Sequence, residues 1–154
     1  MEVKNLKLPE LGHIGLVVDN VENYANLFSD KLGMYEFDIY YFEPSIARVK
    51  GEKIESFKLK IAISEFINKV KIELIQPITD GGFFSEYLKQ NGNGINHLAF
   101  YVQDIKKWRE YFLENGCKIF YEAIVQDKIR GKREVFYTKI NDLNYYYEFA
   151  QLSQ

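Results

Sequence analysis

The 154-residue chain is 47% hydrophobic and 27% charged, with 20 Lys and Arg against 22 Asp and Glu and a net charge of −2. That length suits one domain with a substantial core, and the near-neutral balance excludes a protein built around nucleic-acid electrostatics. One cysteine, Cys117, excludes an intrachain disulfide and fits a reducing compartment. No apolar run approaches the ~18–20 residues of a membrane span, and the residues after Met1 lack the apolar core of a signal peptide. The expectation is a cytoplasmic protein with no membrane and no nucleic-acid partner. Aromatic residues, at 16%, point to a thick core or an aromatic-lined cavity.

Residues 11–18 are apolar and β-branched around His13 and read as a strand. Asp19 or Asn20 suits the cap of a helix that follows. Val21, Tyr24, Ala25, Phe28 and Leu32 form its apolar stripe, and Gly33 suits its left-handed end. Strands are predicted over 36–43, 56–63 and 68–76. A short helix over 83–90 and the turn Asn91-Gly92-Asn93-Gly94 lead to a strand over 95–102. Asp104 then caps a helix with Ile105, Trp108 and Phe112 inward, and strands follow near 117–124, 134–140 and 145–151. The reading is α+β, one domain over 1–154. Module one spans about 8–78, the linker helix about 80–93 and module two about 94–152, each module in the order βαβββ.

The two modules are repeats. Gly12-His13-Ile14-Gly15-Leu16-Val17-Val18-Asp19-Asn20 lies above Asn96-His97-Leu98-Ala99-Phe100-Tyr101-Val102-Gln103-Asp104 at an offset of 84 residues without a gap. Both histidines of the chain fall at one repeat position, each followed two residues on by a small residue, Gly15 or Ala99. Later in each half a glutamate sits in an apolar strand: Glu73 in Ile72-Glu73-Leu74-Ile75-Gln76, and Glu148 in Tyr147-Glu148-Phe149-Ala150-Gln151. A lone strand histidine is more often a satisfied core residue than a ligand, and a lone strand glutamate usually faces solvent. Recurrence of both at repeat positions reverses that expectation. Two imidazoles and two carboxylates make an N₂O₂ set suited to one divalent ion such as Zn, Ni, Co or Mn, so His13, Glu73, His97 and Glu148 are the expected metal ligands.

With these residues in place, the double βαβββ layout resembles the vicinal oxygen chelate superfamily, also called the glyoxalase fold. Ile72-Glu73-Leu74-Ile75-Gln76-Pro77 and Asn91-Gly92-x-Gly94-Ile95-Asn96-His97-Leu98-Ala99-Phe100 are most similar to methylmalonyl-CoA epimerases and their bacterial relatives. The resemblance implies one curved mixed sheet around a metal-containing cavity, with His13, Glu73, His97 and Glu148 as ligands. Where the family often has two adjacent histidines, this chain has Asn96-His97, with His97 retained. The resemblance also implies that Glu148 doubles as proton carrier, and Glu55 is the nearest counterpart of the epimerases' non-ligand catalytic glutamate.

The chemistry expected is a metal-dependent isomerase or epimerase that abstracts a proton next to a carbonyl through a metal-stabilised enolate. The alternatives are a glyoxalase I-type lactoylglutathione lyase and a small-molecule-binding, resistance-type protein of the same fold. The expected partner is a small substrate, an acyl-CoA thioester or a hemithioacetal, and a homodimer is compatible. Arg130-Gly131-Lys132-Arg133 could grip a phosphate but reads by default as a solvated basic loop. Tyr40, Phe42, Tyr101 and Tyr146 could line the pocket, although aromatics are more often core. Lys58 and Lys60 read as one solvent face of a strand whose other face carries Phe57, Leu59 and Ile61. Cys117 reads as a buried structural thiol.

Overall fold

A computed structural model of the chain describes residues 6–55, 57–65, 67–127, 131–140 and 142–152. Among these, ten strands and three helices occur in the order β1 (Leu11–Val17), α1 (Val21–Leu32), β2 (Phe37–Phe42), β3 (Ile46–Val49), β4 (Glu52–Lys53), β5 (Leu59–Ser64), β6 (Lys71–Pro77), α2 (Phe83–Asn91), β7 (Gly94–Tyr101), α3 (Ile105–Glu114), β8 (Ile119–Asp127), β9 (Gly131–Thr138) and β10 (Tyr146–Leu152). The strands form one mixed sheet in the order β2-β5-β6-β1-β7-β10-β9-β8-β3-β4.

The repeat accounts for most of that order. Each module starts a strand at the centre, β1 or β7, and returns its last strand parallel to it, β6 on β1 and β10 on β7. A parallel return needs a crossover, and the helices α1 and α3 sit within those crossovers. Asn20 and Asp104 cap them in the same way, their side chains accepting from Asn23 N and Lys107 N. A second shared device ties each helix to the sheet. Val21 N donates to Gln76 Oε1 at 3.0 Å and Ile105 N donates to Gln151 Oε1 at 2.8 Å. Gly33 ends α1 at φ 69°, the left-handed turn expected of it.

The sequence reading lacks one feature. The connection between β2 and β5 carries a small hairpin, β3–β4, and β3 pairs not with its own module but with β8 of the other. The four residue steps from Phe42 to Ile46 reach at most about 14 Å. In a flat sheet, the eight strand spacings from β2 to β3 in the observed order would cover about 38 Å. The sheet must therefore curl until its ends come close, which makes a half-barrel with a concave interior. The hairpin was not legible because its strands are too short for a period to show.

The interior of the curl holds Val17, Leu59, Ile61, Ile75, Tyr121, Val125, Val135 and Tyr137, and Phe83 and Phe84 of α2 pack against this cluster. The outer faces are closed by the helices. Ala25 of α1 packs with Ala62 and Leu74, and Ile105 and Phe112 of α3 pack with Phe100, Phe136 and Phe149. Phe57, Leu59 and Ile61 are buried as expected, and Lys60 pairs with Glu22 of α1. Ser56, the predicted start of that strand, lies outside the described residues, and the strand itself begins at Leu59. Cys117 is only half-buried, packed beside the α3 cluster ahead of β8.

Candidate metal centre

The site lies where the two modules meet. β1 and β7 pair antiparallel with Ile14 opposite Leu98, so His13 faces Ala99 and Gly15 faces His97. These are the same residues that the repeat superposes, and the Ile14–Leu98 pair therefore marks a local pseudo-twofold axis. The outer strands obey it. Glu73 on β6 stands opposite Gly15, and Glu148 on β10 stands opposite Ala99. Because side chains alternate along a strand, each carboxylate shares a face with the histidine two positions from its partner.

All four side chains are buried, His13 at 1% exposure, His97 at 0%, and Glu73 and Glu148 at 3% each. One ligand atom from each lies within 4.8 Å of the others. The two Nε2 atoms are 3.1 Å apart, and each is 3.0 Å from Glu148 Oε2 and 3.7 Å from Glu73 Oε1. Ligand bonds of about 2.1 Å set neighbouring ligand atoms about 3.0 Å apart in an octahedral shell and about 3.4 Å apart in a tetrahedral one. The observed spacings fit a single divalent ion.

The surroundings aim the imidazoles. His97 Nδ1 lies 2.8 Å from Asn96 Oδ1. In this amide orientation the oxygen can only accept, so Nδ1 carries the proton and Nε2 faces the cluster. His13 Nδ1 lies 3.1 Å from the Tyr101 hydroxyl. Tyr137 stacks on the His97 ring at 4.9 Å between centroids. Gly15 supplies room, because a Cβ there would fall 1.9 Å from His97 Cε1. Burial alone would push the Glu148 carboxyl up, but the facing imidazoles of His13 and His97 outweigh it and hold it well below the usual carboxylate range. Burial, reinforced by the Glu148 charge, raises the hydroxyls of Tyr121 and Tyr137 well above the ordinary tyrosine value.

Glu73 and Glu148 line a small cavity of about 20 Å³, whose other walls include Phe42, Leu59, Ile61, Phe84, Tyr121 and Tyr137. Phe42 thus reaches the site and Tyr101 buttresses it, whereas Tyr146 lines a separate cleft beside α2. Glu55 stands exposed in the connection between β4 and β5 and is not among the residues that line the cavity. Arg133 differs most from its sequence reading. It belongs to β9, not to a solvated loop, and is 3% exposed, lining the cavity with the two glutamates. Arg130 lies outside the described residues. The roles of Asn96 and Tyr137 had no sequence signal of their own, and Arg133 was visible only as part of a basic run. Their burial against the site follows only from strand register, although Asn96 was visible as the neighbour of a predicted ligand.

Comparison with known proteins agrees with this architecture. The family model described as glyoxalase/bleomycin resistance protein/dioxygenase superfamily matches residues 12–137. The uncharacterised protein YqjC of Bacillus subtilis is 28% identical over 90 residues, a match that spans 58% of this chain and 55% of that protein. The ethylmalonyl-CoA/methylmalonyl-CoA epimerase of Cereibacter sphaeroides is 24% identical over 127 residues, covering 82% of this chain and 85% of the epimerase. The crystal structure of methylmalonyl-CoA epimerase from Mycobacterium tuberculosis shares the fold, with a TM-score of 0.66 at 16% identity over 99% of this chain and 97% of the other. On the family match and the half-barrel together, the chain belongs to the glyoxalase/bleomycin resistance protein/dioxygenase superfamily.

Proposed function

We propose that the protein is a divalent-metal-dependent isomerase that moves a proton on the carbon next to a carbonyl, in the manner of an acyl-thioester epimerase. The observation that carries this reading is the buried cluster of His13, Glu73, His97 and Glu148, with its four ligand atoms within 4.8 Å, at the wall of a largely apolar cavity. A bound divalent ion would supply Lewis acidity to the carbonyl oxygen, where charge builds as the proton leaves. The chain's own residues do the remainder. His13 and His97 would hold the ion, their rings oriented by Tyr101 and Asn96. Glu148, kept ionised by the imidazoles beside it, lines the cavity and takes the proton. Leu59, Ile61 and Ile75 form the apolar wall beside that carboxylate. The 24% identity to an ethylmalonyl-CoA/methylmalonyl-CoA epimerase supports the thioester form of the substrate.

A two-base epimerase needs a second carboxylate at the reacting carbon, and Glu55 stands outside the cavity lining. That position favours a second reading, a glyoxalase I-type reaction in which one carboxylate shuttles the proton between adjacent carbons of a hemithioacetal. Exchange of the substrate α-proton with D₂O, followed by NMR on metal-loaded protein, tests both. Wild type should exchange the α-proton of a methylmalonyl thioester. A loss of 10²–10⁴-fold in Glu55→Gln at equal metal content would make Glu55 the second base, and no change would leave Glu148 alone in that role. Absence of exchange with every thioester and hemithioacetal tried would overturn the isomerase reading.

A further inference from the structure

The cavity beside the cluster, at about 20 Å³, has room for about one water molecule. A ligand that brings even one carbonyl group to the metal-binding residues must displace part of the wall. Among the described lining residues, every one but Phe84 stands on a strand of the sheet, where ladder hydrogen bonds fix the backbone. Phe84 belongs to α2, which is flanked by glycines in left-handed conformations: Gly81 and Gly82 precede it at φ 84° and 90°, and Gly92 follows it at φ 71°. Gly82, at ψ 175°, occupies a backbone region that is essentially glycine's alone. As the N-cap of α2 it gives the first turn no side-chain hydrogen bond. That turn carries Phe83 and Phe84, and it is the part of the wall not tied into the sheet.

On the other side of the turn lies the cleft beside α2, of about 520 Å³, lined in part by the exposed Lys50, Glu86 and Asn144. One layer of rings separates the two spaces. Phe83 lines the cleft, and its ring centroid lies 4.8 Å from that of Tyr146, another cleft residue. It also lies 5.0 Å from Tyr121 and 5.4 Å from Tyr137, both of which line the cavity. Phe84 meets Phe83 at 5.1 Å and forms the cavity side of the layer. Building on the metal centre of the isomerase reading, we propose that Phe84 is the gate of the site and that the cleft beside α2 is its approach. The first turn of α2 swings about Gly81 and Gly82, the ring layer parts, and the ligand reaches the cluster from the cleft. The gate selects by width. It admits a narrow metal-binding head whose remainder lies along Tyr87, Phe120 and Tyr146, and it excludes a head branched next to the carbonyl carbon.

The test is stopped-flow mixing of the cobalt-loaded protein with acetohydroxamate, a small metal chelator, and with its branched counterpart pivalohydroxamate, followed by the cobalt absorption spectrum. Wild type should take up acetohydroxamate at a rate that saturates with its concentration, the rate of gate opening, and pivalohydroxamate about tenfold more slowly or not at all. At equal cobalt content, Phe84→Ala should speed acetohydroxamate uptake about tenfold or more and abolish the preference for the narrower head. Phe42, half-buried at the end of the edge strand β2, is the rival gate. A larger gain in Phe42→Ala than in Phe84→Ala, unchanged uptake in Phe84→Ala, or no uptake by either wild type or Phe84→Ala would overturn the proposal. If Phe84→Ala fails to fold, Phe84→Leu decides by the same rates. Absence of cobalt binding would overturn the metal centre itself and the gate with it. Hydroxamate uptake is independent of turnover, so gated uptake without α-proton exchange would remove the isomerase reading and leave the gate standing.

Discussion

Gly15 and His97 face each other across the central strand pair, and the space a Cβ would take on Gly15 is filled by the His97 ring. The equivalent pair in the other half, Ala99 and His13, accommodates a methyl group. Replacing a strand glycine by alanine usually stabilises by a few tenths to about 1 kcal/mol. Here Gly15→Ala should instead destabilise the protein and weaken metal binding by more than tenfold, because His97 must leave its position. Metal titration with thermal denaturation checks both signs.

The residues behind the imidazoles should matter nearly as much. Tyr101→Phe removes the hydroxyl at His13 Nδ1, and Asn96→Leu removes the acceptor at His97 Nδ1. Each should lower metal affinity about 10–100-fold with the metal stoichiometry unchanged at saturation. Competition with a chelator of known affinity measures the loss.

The paired anchors Gln76 and Gln151 give a test of the pseudo-symmetry that is separate from the site. Gln76→Ala and Gln151→Ala each leave a helix N-terminal N–H without its side-chain acceptor. Each should cost about 1 kcal/mol, read as similar shifts in urea midpoint, with metal content intact.

Much of this arrangement was legible in the chain. The repeat located all four cluster residues because a polar residue recurring in an apolar strand is improbable without a shared task. It also located the crossover helices through their caps at Asn20 and Asp104. What was not legible depends on tertiary register. Arg133 sits in an alternating strand whose inward face is known only once β9 is paired with β10. The β3–β4 hairpin is made of strands of four and two residues, which carry no period. Glu55 was placed by family likeness alone, and the connection that holds it leaves it exposed.

Tyr121 and Tyr137 should titrate late. Their folded-state values lie above the ordinary 10.0, chiefly because burial disfavours the phenolate. Between that value and their folded values the unfolded chain holds fewer protons, so stability falls as pH rises. It is fully present below about pH 10 and is lost progressively above it. Absorbance of tyrosinate against pH should show these two of the chain's twelve tyrosines ionising only as the fold melts. Early, reversible ionisation of all twelve would contradict their placement.

The central claim is that one ion is held jointly by both modules. The most direct measurement is elemental analysis of dialysed protein reloaded with Co, Ni or Zn, in wild type and in His97→Ala. The account predicts about one equivalent per chain in wild type and strongly reduced retention in the folded variant, since one of four protein ligands is gone. Full metal retention by His97→Ala, or no stoichiometric binding by wild type, would contradict it.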